Sequence, residues 1–163
     1  MNDNRTFIGL QPIFSEAPLT PPDNLSFGDV RLRFVHVVPG DSSKGFVPAY
    51  HFRILNVGAS DVGHINFRIG NTERVHICAG HIGFEILEEF RGHGYARQAC
   101  CAIAPFVRSV YRGVTITCDP DNFASIKTIE RLGARFIDEV PVPSHEPAYL
   151  RGSRMKRRYE WIP

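Results

Sequence analysis

Residues 89–100 read "EFRGHGYARQAC". Gly92 and Gly94 flank a histidine immediately before a run with helical periodicity, and "HIGFEIL" just upstream has the composition of a strand. A strand that ends in a glycine-bearing turn and opens a helix leaves the first helical N–H groups without partners. Those groups and the positive end of the helix dipole make an anion site. Phosphate is the expected anion, and the two glycines let the backbone approach it closely with positive φ where required. The spacing is not the dinucleotide fingerprint, because Arg97 stands where its third glycine would be. No Gly-Lys-Ser/Thr follows, so it is not a Walker loop either.

Downstream, "YARQACCAIAPFVRSVY" places Ala99, Ile103, Phe106, Val107 and Val110 on one helical face. Pro105 lies inside that helix without an amide proton for residue 101, so a kink or an early end is expected. "GVTITC" is a β-branched strand, and "DPDN" supplies a turn in which Asp121 or Asn122 can cap the helix "FASIKTIERL". Gly133 is its left-handed stop. "ARFIDEV" and "RMKRRYEWI" read as strands around the loop "PVPSHEP". Upstream, "VRLRFVHVV", "FVPAYHFRILNV", "VGHINFRIG" and "RVHICAGHIGFEIL" read as an antiparallel meander. The order implies an α+β fold with a mixed, mostly antiparallel central sheet flanked by helices. Residues 1–29, rich in proline from residue 12 onward, are expected to form an extended or partly disordered arm, followed by one domain over residues 30–163.

Composition narrows the function classes. Hydrophobic residues are 43% and charged residues 22% of the 163, and no apolar run approaches the eighteen or so residues of a membrane helix. A cytoplasmic address is expected, since the N-terminus lacks a secretory pattern. Cys78, Cys100, Cys101 and Cys118 show no framework spacing and read as reduced thiols. A formal charge of +2 is too mild to make the whole molecule a polyanion binder.

The pair of motifs "RGHGYA" and, about thirty residues on, "NFASIKTIERLGARF" resembles the GNAT superfamily of acyl-CoA-dependent N-acetyltransferases, over roughly residues 62–140. Within it the sequence resembles the branch that contains ribosomal-protein N-acetyltransferases. The resemblance implies acetyl-CoA as donor cosubstrate, a primary amine as acceptor, and no metal. The pyrophosphate is expected on the amides of Gly92, His93, Gly94, Tyr95 and Ala96, with Arg91 opening the loop. The pantetheine arm is expected to pair with the backbone at Phe84 and Ile86, and Asn122 and Ser125 to face its thiol end.

In such enzymes an amine attacks the thioester carbonyl directly, which calls for a base, an oxyanion donor and an acid. A backbone amide near Phe84 is the expected oxyanion donor. Glu85 is the candidate base, with His81 second. Many superfamily members carry an acidic tyrosine seven residues after the asparagine, but here Ile129 occupies that place. Ser125 is the candidate acid, and Tyr149 a further one. Residues 38–48 form a short loop where such domains usually insert helices, so the N-terminal arm and "VPSHEPAYLRG" are expected to wall the acceptor site.

Other readings carry less. His76 and His81 are five apart, which an extended strand would put on opposite faces, so a metal site is not expected. No Ser-His-Asp order or G-x-S-x-G elbow points to a hydrolase. The basic residues Arg151, Arg154, Lys156, Arg157 and Arg158 raise a nucleic-acid or ribosome-binding module, but alternation explains them as a solvated strand face. A non-catalytic acyl-CoA-binding sensor is the other alternative. No membrane partner is expected, and the final strands offer an edge on which a homodimer could pair.

Overall fold

The computed structural model describes residues 19–163. Residues 1–18, most of the expected arm, lie outside the described residues. The elements are β1 (Ser26–Phe27), β2 (Val30–Val38), β3 (Ala49–Leu55), β4 (Asp61–Arg68), β5 (Ile82–Ile86), α1 (Tyr95–Val110), β6 (Val114–Cys118), α2 (Phe123–Arg131), β7 (Arg135–Pro141), α3 (Pro147–Leu150) and β8 (Met155–Trp161). All strands join one sheet in the order β1-β2-β3-β4-β5-β6-β8-β7. Every neighbouring pair is antiparallel except β5 and β6. This is the mixed, mostly antiparallel α+β architecture that the order of elements implied.

One core lies between the sheet and α1. Phe106 sits at its centre, with the rings of Tyr50 and Phe67 each 5.1 Å away edge-on and Phe52 at 6.3 Å. Ala99, Cys100, Ile103, Val107 and Val110 continue the same face, and Ile126 and Ile129 of α2 join the cluster. The sheet starts before Val30: Leu25 is buried in this core, and Ser26 pairs with Arg31.

Three local outcomes differ from the sequence pattern. Helix α1 does not end at Pro105 but runs through it to Val110. Pro105 faces solvent, where water can satisfy the carbonyl that the ring leaves unbonded. Residues 75–79, expected as part of a strand, form a π-helical turn that buries Val75 and Cys78. Thr72 starts that turn by accepting from the His76 amide (3.2 Å), and Gly80 stops it at φ 66°. Finally, β8 inserts between β6 and β7, an order that periodicity cannot encode.

His81, at the head of β5, is fully buried. Its Nδ1 accepts from the Thr115 amide (3.0 Å), and its own backbone N–H donates to the Thr115 carbonyl (2.7 Å). Nε2 therefore carries the ring proton, directed at Asn71 Oδ1 (3.3 Å). Burial, then the neighbouring His76, push its pKa down to about 3. An unfolded histidine titrates near about 6.5. Between those two values the unfolded chain binds a proton that the folded chain refuses, so stability falls as pH falls through the window. Burial lowers His64 and His76 in the same direction. From pH 7 to pH 5, denaturant unfolding should show about 2 kcal/mol of stability lost through His81. His81→Gln should start less stable but show a flatter pH dependence; an unchanged slope would assign the effect to the other histidines.

Candidate active site

The site follows from how β5 and β6 part. They pair at one position, Ile82 with Ile116, and then diverge. On its other edge β5 is fully laddered to β4, from Ile82 opposite Phe67 to Ile86 opposite Gly63. Arg68 N–H donates to the His81 carbonyl and Leu87 N–H to the Val62 carbonyl (2.7 and 2.9 Å), so odd-numbered residues of β5 turn their backbone toward β4. Phe84 and Ile86 therefore turn theirs toward the opening. Arg91 Nε, donating to the Ile86 carbonyl at 3.1 Å, approaches from that open side. An extended amide-bearing ligand can add here as a strand.

At the far end of β5 lies the glycine loop. Gly92 and Gly94 hold φ 86° and 74°, and a Cβ at either would meet nothing within 4 Å. The glycines are thus required by conformation, and the space beside them is open. Gly94 is the N-cap of α1, with no side-chain cap and no acidic residue in the first turn. The first intrahelical bond belongs to Gln98, so the helix entrance keeps its amides available to an anion. His93 and Tyr95 flank the loop with rings 5.5 Å apart. Arg97 ties this entrance to the end of α2 by donating to the Arg131 carbonyl (3.2 Å).

Across the opening stands α2. Asn122 Oδ1 accepts from the Ser125 amide (3.1 Å), so Asn122 is the cap that "DPDN" suggested. Phe84, Asn122 and Ser125 line one cleft of about 280 Å³, together with Arg68, Cys118 and Glu146. The Ser125 hydroxyl has no hydrogen-bond partner among the described residues. Phe84, Asn122 and Ser125 thus meet at one cleft, whereas Ile86, Arg91 and the loop residues 92–96 follow along β5 and do not line it.

Other candidates fall elsewhere. Glu85 belongs to the face that β5 turns away from α1, with a side chain 64% exposed and His64 Nε2 4.0 Å away, and it does not line the cleft. His81 is buried, neutral and engaged at both ring nitrogens, which removes it as a base. Ile129 is fully buried in the core, so nothing there replaces the usual tyrosine. Tyr149 lies under the Arg154 guanidinium, 3.9 Å from its ring centre, and does not line the cleft.

The carboxylates that do line the cleft are Asp119 and Glu146. Burial pushes Asp119 up, but bonds from Lys156 Nζ and Ser153 Oγ (2.6 Å each) outweigh it and hold the pKa low. Glu146 is 5% exposed and forms an ion pair with Arg74. Arg74 also covers the Phe46 ring at 4.3 Å, joining the loop after β2 to the segment between β7 and β8. The "VPSHEPAYLRG" loop therefore does wall the cleft, through Glu146, Ala148 and Arg151. No local signal marks Glu146, whose partner is 72 residues away. Cys118 also lines the cleft, and burial pushes its thiol up to about 11.

The basic strand β8 is largely neutralised in place. Lys156 pairs with Asp119, Arg158 with Asp138 (2.7 Å), and Arg157 reaches Glu139 (3.5 Å) while covering the Phe136 ring.

Residues 29–135 match the family model of the acetyltransferase (GNAT) domain, and the chain belongs to that family. No curated protein matches it significantly. Solved structures agree on the fold. RimL, a ribosomal L7/L12 alpha-N-protein acetyltransferase in complex with coenzyme A disulfide-bonded to a cysteine, superposes with TM-score 0.55 at 19% identity, over 70% of this chain and 62% of its own. The ribosomal-protein-S5-alanine acetyltransferase from Vibrio fischeri gives 0.55 at 18% identity, over 70% and 61%. The microcin C7 self-immunity acetyltransferase MccE, in complex with acetyl-CoA and AMP, gives 0.52 at 22%, over 71% and 61%. The chain thus spans about six tenths of the length of each of these structures.

Gly94→Ala should cost about 1 kcal/mol of stability through its left-handed backbone and weaken acetyl-CoA binding about tenfold in calorimetry, roughly 1.4 kcal/mol. Gly133→Ala has the same kind of backbone, φ 78° in open space, and should cost similar stability without changing affinity. Equal affinity in both variants would reduce the loop to a connecting turn.

Proposed function

We propose that the protein transfers the acetyl group of acetyl-CoA directly to a primary amine. The observation that carries this reading is the joint placement of the β5 edge, Ser125 and Glu146 around one cleft that begins where the strands part. Residues 92–96 bind the diphosphate through main-chain amides, with Arg91 beside them. The Phe84 and Ile86 backbone aligns the pantetheine arm, and Asn122 and Ser125 face its sulfur.

Chemistry then needs three groups. The Phe84 N–H, turned toward the opening, stabilises the oxyanion as the amine nitrogen bonds to the thioester carbon. Glu146 takes the proton of the attacking ammonium through an intervening water. As the carbon–sulfur bond breaks, the Ser125 hydroxyl gives its proton to the departing thiolate and takes one from the acetylated nitrogen, which becomes the neutral amide. Glu146 takes the base role in place of Glu85, which does not line the cleft, and in preference to the other cleft carboxylate, Asp119, which Lys156 and Ser153 hold at low pKa.

Thiol-release kinetics separate these roles. Glu146→Gln should lower kcat by about a hundredfold or more, with the Michaelis constant for acetyl-CoA little changed. Ser125→Ala should lower it less, and Glu85→Gln hardly at all. A large loss only in the Glu85 variant would return the base to β5. Saturable acetyl-CoA binding with no turnover on any amine would favour the sensor.

A further inference from the structure

Among the described residues, Arg68 and Arg151 of the cleft form no ion pair with a carboxylate, although the Arg151 charge acts on Asp119. Arg68, Arg74, Arg151 and Lys156 line it with only Asp119 and Glu146 as anions, and those two are engaged by Lys156 and Arg74. Arg68 is the more telling of the remaining pair. It ends β4 and lies flat against β5: a Cβ at Gly83 would stand 3.0 Å from Nη1, so the guanidinium fills the space a side chain there would need. Its bonds go to two carbonyls, Ala79 (3.1 Å) and Gly80 (3.4 Å). No carboxylate reaches it among the described residues. Burial, then the Arg74 charge, push its pKa down, as expected of a shielded cation without a counter-ion. A half-buried guanidinium in this state is a good receptor for a carboxylate, which it can hold with two parallel bonds.

The phosphates of the donor do not serve as that anion. They belong at residues 92–96, beyond the Ile86 end of β5, whereas Arg68 lies at the Gly83 end. The anion is therefore the acceptor's, and since Gly83 adjoins Phe84, it sits close to the reacting amine. A second cavity of about 280 Å³ opens on the far side of Arg68, sharing Arg68, Arg74 and Ala79 with the cleft. Phe46, Val47 and Val75 give it an apolar body, and His51, whose Nδ1 is 2.6 Å from Asn66 Oδ1, gives it a polar end.

We propose that the acceptor is a free amino acid with a largely apolar side chain: carboxylate on Arg68, amine toward Phe84 and Ser125, side chain in the Phe46–His51 cavity. This deepens the acetyl-transfer reading and rests on it. A polyamine adds positive charge beside Arg68, and a protein N-terminus has an amide where the carboxylate is needed, so both fit this cleft less well.

The test compares L-leucine, L-methionine and L-phenylalanine with their primary amides and with the amines that lack the carboxyl group. Thiol release is followed with acetyl-CoA, and binding by calorimetry with coenzyme A present. At least one amino acid should be acetylated with kcat/KM about thirtyfold or more above its amide and its amine. Arg68→Gln should raise the Michaelis constant for that amino acid by a similar factor while acetyl-CoA affinity stays within twofold, and Arg68→Lys should fall between. Amides or amines used as well as the acids would overturn the proposal. Should Arg68→Gln not fold, the acid-to-amide comparison on the native protein decides alone. Should no amine be acetylated, the transfer reading fails, and the binding arm still speaks: saturable binding of an amino acid but not its amide upholds the carboxylate site, and no binding by any of the three overturns it.

Discussion

The molecule depends on one rung. Strands β5 and β6 touch at Ile82 and Ile116, and a buried knot secures that contact. His81 both donates to and accepts from Thr115, and Gly80 has no Cβ where one would lie 3.1 Å from the Thr115 carbonyl and the Thr117 amide. A protonated imidazole could not accept the Thr115 N–H, so the ring must stay neutral and dry. Because the strands are pinned at one end only, right-handed twist carries them apart beyond it. The cleft, the exposed β5 edge and the position of α2 across from it all follow.

Charge organises the rest of the site. Anion-seeking amides at the entrance of α1 are left uncapped, while the cations deeper in the cleft are partly paired off: Lys156 with Asp119, Arg74 with Glu146. Arg74 does more than neutralise. It stacks on Phe46 and holds Glu146, so the short loop after β2 and the segment before β8 become a single wall. Glu146 is the buried partner of this pair, and removing Arg74 would leave its charge buried without a cation.

Much of this was legible in the chain. Gly92 and Gly94 ahead of an amphipathic run announce a helix entrance with free amides, and both adopt the left-handed backbone that only glycine takes without strain. Asn122 caps α2 as "DPDN" suggests, and the N-x-x-S spacing puts Ser125 one turn along, facing the cleft. Alternation along β5 also places Glu85 and Phe84 on opposite faces, but it cannot say which edge of the strand a neighbour leaves open. Residues 75–79 look like a strand by composition, yet Thr72 and Gly80 bracket them into a turn that buries Val75 and Cys78.

By itself the sequence determined the elements whose signals are local: the glycine turn, the helix cap, the periodicities that give an α+β sheet with helices on its apolar face. Those signals act over one or two turns, through backbone φ preferences and the first free amides of a helix. Tertiary structure alone decided that β8 enters between β6 and β7, that Arg74 meets Glu146 across 72 residues, and that Arg68 lies half-buried against Gly83 with no carboxylate of the described residues on it. Such contacts join charges distant along the chain, and only the assembled sheet sets which of them are shielded together and which are left unpaired.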